Sequence, residues 1–179
     1  MAITATDILF KLSINSGPGD SSAQGDPNDS IGGYMSSTQI TDATLHNLFD
    51  VITGDENAAS TVDYRGFFVH NNHGSLTWQS VVVWLSSEVA GGADAAIALD
   101  GTGVVDDNSA SQQMERIADE ETAPSGESFS APTTKGTGLA IGDIPAQDVQ
   151  GIWVRRTAND TAAQASDGVT IRCEGDTAA

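Results

Sequence analysis

Between Ile8 and Ile14 the side chains alternate. Ile8, Phe10, Leu12 and Ile14 fall on one side of an extended chain, and Lys11 and Ser13 on the other, the period of a half-buried strand. From Asn15 to Gly33 the chain is built of Gly, Pro, Asp, Ser and Asn with almost no apolar side chain, so it predicts a long loop or arm that takes its order from a neighbour. Thr41-Asp42 then precedes Leu45, Leu48, Phe49 and Ile52, the stripe of a short amphipathic helix with an N-cap. Two apolar-rich runs, Tyr64 to Val69 and Leu76 to Leu85, flank Asn71-Asn72-His73-Gly74 and predict a β-hairpin. Shorter β-like runs follow at 95–99, 112–118, 127–130, 139–141, 149–157 and 169–173.

Short strands at this spacing predict an all-β chain, an immunoglobulin-like or jelly-roll β-sandwich with an N-terminal arm and one short helix. The division expected is a strand, loop-rich arm and helix at 1–50 and the sandwich body at 51–179. Gly142-Asp143-Ile144-Pro145, then Ile152-Trp153-Val154, a polar loop and Val169-Thr170-Ile171 read as a corner followed by a long-looped hairpin, a common ending of immunoglobulin-like sandwiches. Self-similarity at the period of a solenoid or propeller is absent.

Composition narrows the class. The 179 residues suit one domain. Seven Lys+Arg against 25 Asp+Glu leave a net charge of −18, which excludes unassisted binding to nucleic acid or an anionic membrane. Lys occurs only as Lys11 and Lys135, and Asp outnumbers Glu 18 to 7, so long exposed helices are disfavoured and turns favoured. The longest apolar run, Val81 to Leu85, is far short of a membrane span. Met1-Ala2-Ile3-Thr4 has neither the basic nor the apolar part of a secretory signal, so a soluble product that is not exported is expected.

Candidate chemistry is sparse. There is no phosphate-binding glycine loop and no dinucleotide fingerprint. His46 falls on the expected helix, and His70 and His73 at the expected hairpin tip; they read as exposed turn residues, since the further ligands of a zinc site are not indicated. Cys173, on an alternating strand, reads as an inert buried thiol. Asp26-Pro27-Asn28-Asp29, Asp106-Asp107-Asn108 and Asp119-Glu120-Glu121 offer oxygen ligands, but the first lacks the glycine and distal Glu of an EF-hand loop, and turn formation explains all three. Trp78 and Trp84 are six apart, which puts them on one face of a strand; with Trp153 they read as core or interface aromatics rather than a sugar-stacking platform. No catalytic residue, metal site or cofactor is expected, and the chain does not read as an enzyme. From Leu12 to Tyr64 there is no Lys or Arg, whereas Arg155, Arg156 and Arg172 fall on the last two strands. Arg155 and Arg156, being adjacent, must point to opposite faces. Either at least one meets a carboxylate of this chain or of a partner, or the pair is solvated on an edge strand that it guards against aggregation.

Leu48-Phe49-Asp50-Val51-Ile52-Thr53-Gly54-Asp55-Glu56-Asn57-Ala58-Ala59, Asp63-Tyr64-Arg65 with Phe68-Val69-His70-Asn71, Gly142-Asp143-Ile144-Pro145, Ile152-Trp153-Val154-Arg155-Arg156-Thr157 and Gly175-Asp176-Thr177 together resemble small virion structural proteins of tailed bacteriophages, of the capsid decoration or cement type. The resemblance spans roughly residues 45 to 177 and leaves 15–44 unmatched. It implies a homotrimer made in the host cytoplasm that sits on the outer capsid surface of the virion and bridges subunits of the major capsid protein, with neither nucleic acid nor membrane as partner. A head-fibre or tail component and a carbohydrate-binding module are the alternative readings. Candidate partner-binding residues are Ile8, Phe10, Leu12 and Ile14, as anchors of an arm formed by residues 1–35, together with Arg155 and Arg156.

Overall fold

The computed structural model describes residues 2–17 and 22–177. It is an all-β fold. The strands are β1 (Ile8–Ile14), β2 (Gly32–Gln39), β3 (Val62–Asn71), β4 (Trp78–Glu88), β5 (Asp94–Asp106), β6 (Met114–Arg116), β7 (Leu139–Ile144), β8 (Asp148–Thr157) and β9 (Val169–Thr177), with one short helix, α1 (Gly54–Ala59). A six-stranded antiparallel sheet has the order β5-β8-β3-β1-β2-β6, and a three-stranded one the order β7-β4-β9.

The two faces of the large sheet bury different things. Leu12, Phe67, Val69, Ile97, Ile152 and Val154 face the small sheet and pack against Trp78, Val81, Val83, Leu85 and Ile144. Fully burying such side chains is worth about 1.5–3 kcal/mol each, so this layer drives the assembly of the two sheets. On the other face Met35, Phe68, Ala98, Met114, Ile117, Val149 and Trp153 form a second core. It is enclosed because the large sheet curls until its margins meet: the Glu115 N–H of β6 donates to Asp100 Oδ2 of β5 at 2.9 Å. Met114 fits there only because Gly66 and Gly151 lie beneath it; a Cβ on Gly151 would come within 2.8 Å of the Met114 Cβ.

β1 lies inside the large sheet, paired to β2 on one side and to β3 on the other. The strand expected to anchor an arm is thus an integral strand of the body. Leu12 is buried in the main core, and Ile8 and Phe10 pack against it. Much of the stretch expected to find order on a neighbour folds onto its own chain. The Gln24 amide donates to the Ser13 carbonyl at 3.1 Å, the Ser37 N–H to the Ser22 carbonyl at 2.8 Å, and Pro27–Asp29 forms a 3-10 turn capped by Asp26. Residues 18–21 of that stretch lie outside the described residues.

Three further expectations are corrected. The helix does not span Leu45 to Ile52. Ala43 and His46 take left-handed φ values of 53° and 57°, which break any helix there, and Leu45 is 63% exposed while Leu48 is buried. The helix instead starts after Thr53, whose N–H donates to Glu56 Oε2 at 2.6 Å while its hydroxyl accepts from the Glu56 N–H at 3.2 Å, a reciprocal cap. β3 and β4 are not a hairpin, since they lie in different sheets. Asn71 builds the corner between them: its amide lies 2.8, 2.9 and 3.0 Å from the carbonyls of Leu76, Ile144 and Pro145. β8 and β9 likewise lie in different sheets, so the closing segment is a sheet crossing and not a long-looped hairpin.

Candidate functional site

Asp63 and Arg156 are direct partners in the β3–β8 ladder, on the face that carries Phe67, Ile152 and Val154. Arg156 grips Asp63 Oδ2 through Nη2 at 2.6 Å and Nε at 3.0 Å, and reaches Asp50 through Oδ1 at 3.2 Å and the carbonyl at 2.5 Å. The Phe49 ring is bracketed by two guanidinium groups, Arg156 at 4.7 Å and Arg65 at 5.3 Å from its centroid. Arg65, fully buried, pairs with Glu120. One cluster therefore ties the irregular 40–53 segment and the 117–122 turn to the ends of β3 and β8. Arg155 takes the opposite face, as adjacency requires, and lies over the Phe129 ring at 5.4 Å. The carboxylates expected for the Arg155-Arg156 pair are thus found within this chain, on Arg156.

At the other end of β3 stands His70, completely buried with Nε2 3.2 Å from Asp107 Oδ2. The expectation of an exposed turn histidine fails here, because β3 continues through Asn71 and carries His70 under the 106–113 turn. Gln113 fastens that turn: its amide donates to the carbonyls of Asp106 and Asp107, both at 2.8 Å, and its Oε1 accepts from the Met35 N–H at 2.7 Å. His73 stays in the corner, where Nδ1 accepts from the Ser75 and Leu76 N–H groups. His46 is exposed. Burial pushes the Cys173 thiol up, away from the reactive thiolate.

The tryptophans do not share a face. Ser80 has φ 53° and the pairing of β4 slips beside it on both neighbours, so a bulge inverts the alternation: Trp78 faces the main core, whereas Trp84 sits on the outer face under Arg172, 5.8 Å from the ring. Trp78 and Trp84 are each 6% exposed and Trp153 is fully buried, which leaves no open aromatic platform.

The three acidic clusters act in turns. Asp26 Oδ1 accepts from the Asn28 N–H, Asp106 Oδ1 from the Asn108 N–H, and Asp119 Oδ1 from the Thr122 hydroxyl. Among the described residues no group of three or more His, Cys, Asp or Glu side chains is placed to hold a metal ion. The cations, by contrast, are drawn inward. Lys11 and Arg65 are buried, Arg155 and Arg156 are half-buried, and only Arg116, Lys135 and Arg172 of the seven are exposed. Many carboxylates are drawn in as well, with Asp63, Asp100 and Asp107 buried, and exposed carboxylates still outnumber exposed cations, so the outer surface is acidic.

Asp100 and Gln113 carried no readable signal and Asn71 read only as a turn residue, because all three act through contacts with segments more than 50 positions away. Comparison with known protein families, characterised proteins and solved structures finds no match to this chain.

Proposed function

We propose that the chain is a structural virion protein of tailed-phage type that binds the outside of a capsid and stabilises the shell, with the major capsid protein as its partner. The observation that carries this reading is where the resembling residues lie. Asp50, Asp63 and Arg156, from three separate stretches, meet in one ion cluster, and Asn71 holds the Ile144-Pro145 stretch at the opposite end of β3. They belong to the framework of the sandwich. The acidic exterior adds to it, since it suits a coat protein that must stay soluble at high copy number and meet a basic patch on its target.

The test is co-sedimentation of the purified chain with DNA-free shells assembled from the major capsid protein of the same genome. Saturable binding, with a raised melting temperature of the shell, supports the reading. A chain that stays in the supernatant at micromolar concentration overturns it.

A further inference from the structure

β9 forms one margin of the small sheet, and among the described residues no backbone hydrogen bond joins its outer side to another segment. An open nine-residue edge is a template for another strand. Beside it lies an apolar depression of about 330 Å³ lined by Ile3, Ile8, Phe10, Trp78, Cys173 and Gly175. Alternation turns Val169, Ile171 and Cys173 toward the core and leaves Arg172, Glu174 and Asp176 on the outer face. The side chains of Arg172 and Glu174 are 60% and 40% exposed and meet each other at 3.2 Å, and Glu174 also meets Lys135 at 3.4 Å.

We infer that two copies of this chain pair antiparallel through β9, with Cys173 opposite Cys173 on the two-fold axis. Charge selects that register. Centred on Cys173, the pairing sets Arg172 of each copy opposite Glu174 of the other and overlaps the whole strand from Val169 to Thr177. Moving the centre to residue 172 sets Arg172 against Arg172, and moving it to 174 sets Glu174 against Glu174 between two Arg172–Asp176 pairs. A centre at 175 sets Glu174 against Asp176. Half-steps turn the core-facing side chains of one copy onto the outer face of the other. Charges on an edge strand ordinarily discourage pairing; here one self-complementary register matches opposite signs and sets no like pair face to face. The second copy also closes the depression beside β9. Cα atoms opposed across an antiparallel pair lie about 4.5 or 5.5 Å apart, so the two Cys173 backbones meet without strain.

This inference does not rest on the shell-binding reading, and it replaces a three-fold assembly with a two-fold one. Each copy carries −18, and that long-range repulsion is screened beyond about 8 Å at physiological salt, whereas the close contact pairs are screened less. Sedimentation velocity across the micromolar range should therefore report a dimer that tightens from low salt to about 0.15 M NaCl. Arg172→Glu and Glu174→Arg should each weaken it about tenfold or more, because two opposed pairs change sign at once, and the double exchange Arg172→Glu with Glu174→Arg should restore it. Hydrogen exchange of the unaltered chain, dilute against concentrated, should slow at 169–177, a reading that holds even if a variant fails to fold. A monomer at both salt concentrations, a dimer indifferent to the single exchanges, or concentration-dependent protection that spares β9 would each overturn the inference.

Discussion

Trp153 and Asp100 meet inside the curl of the large sheet. The indole N–H donates to Asp100 Oδ2 at 2.9 Å, and the same oxygen accepts the Glu115 N–H that brings β6 to β5, while Oδ1 accepts from the Thr102 N–H. A single buried carboxylate thus joins the centre of the second core to the seam that closes it.

Asp100→Asn should destabilise the chain by about 2–3 kcal/mol, since an amide presents an N–H where both carboxylate oxygens now accept. Trp153→Phe keeps the seam hydrogen bond and should cost less. Urea unfolding followed by far-ultraviolet circular dichroism measures both.

Removing Arg156 leaves the buried Asp63 without its charge partner. Arg156→Met should cost about 3–5 kcal/mol, and Arg156→Lys should recover only part, because one ammonium cannot span Asp63 and Asp50 together. The Arg156→Met, Asp63→Leu double variant should be more stable than Arg156→Met alone in denaturant titrations.

Asp148 and Asp106 face each other across the β5–β8 ladder. Burial, and then the Asp106 charge, push the Asp148 carboxyl above its ordinary range. A carboxyl raised on folding opposes the fold above that raised value, and the penalty fades as pH falls through it. Asp148→Asn should therefore stabilise the chain at pH 7, by about 0.2–1 kcal/mol, and the gain should vanish near pH 3. Glu88 and Glu127, raised mainly by burial, carry the same sign. Melting temperatures at the two pH values provide the check.

Glu56 has the opposite sign, because hydrogen bonds from the Thr53 N–H and hydroxyl hold its carboxyl below the usual range. Its contribution is present above the unfolded-state value and is lost as pH falls through the lowered one. Thr53→Ala should cost about 1 kcal/mol at pH 7 and less at pH 3.

Deleting residues 1–15 removes β1 from between β2 and β3 and should abolish cooperative melting. A truncated chain that still melts sharply would show that the large sheet closes without it.

Strand periodicity read β1, β3, β5 and β8 from the sequence because each has a face in contact with a core. What it could not read was partnership. Alternation says that a strand has an inside but not which sheet supplies it, so β3 and β4 read as a hairpin until Asn71 is seen bonded to Ile144 and Pro145. The phase of Trp84 was hidden for a similar reason, since one left-handed residue, Ser80, inverts the alternation from Val81 through Leu85. The helix was misplaced because Leu45, Leu48, Phe49 and Ile52 fit a helical stripe, whereas Thr53-Gly54-Asp55-Glu56 carried the cap. In the candidate cluster, the adjacency of Arg155 and Arg156 foretold opposite faces, but Asp50 and Asp63 could not be paired with Arg156 by spacing.

Along the chain, the three strands of the small sheet never follow one another: β5 and β6 intervene between β4 and β7, and β8 between β7 and β9. Every pairing within the small sheet must therefore close a long loop of chain. Such non-local topology folds slowly and in an all-or-none manner. On the ribosome one edge of β4 stays unpaired until Val169–Thr177 has emerged, so the nascent chain carries an open strand edge through about the second half of its synthesis.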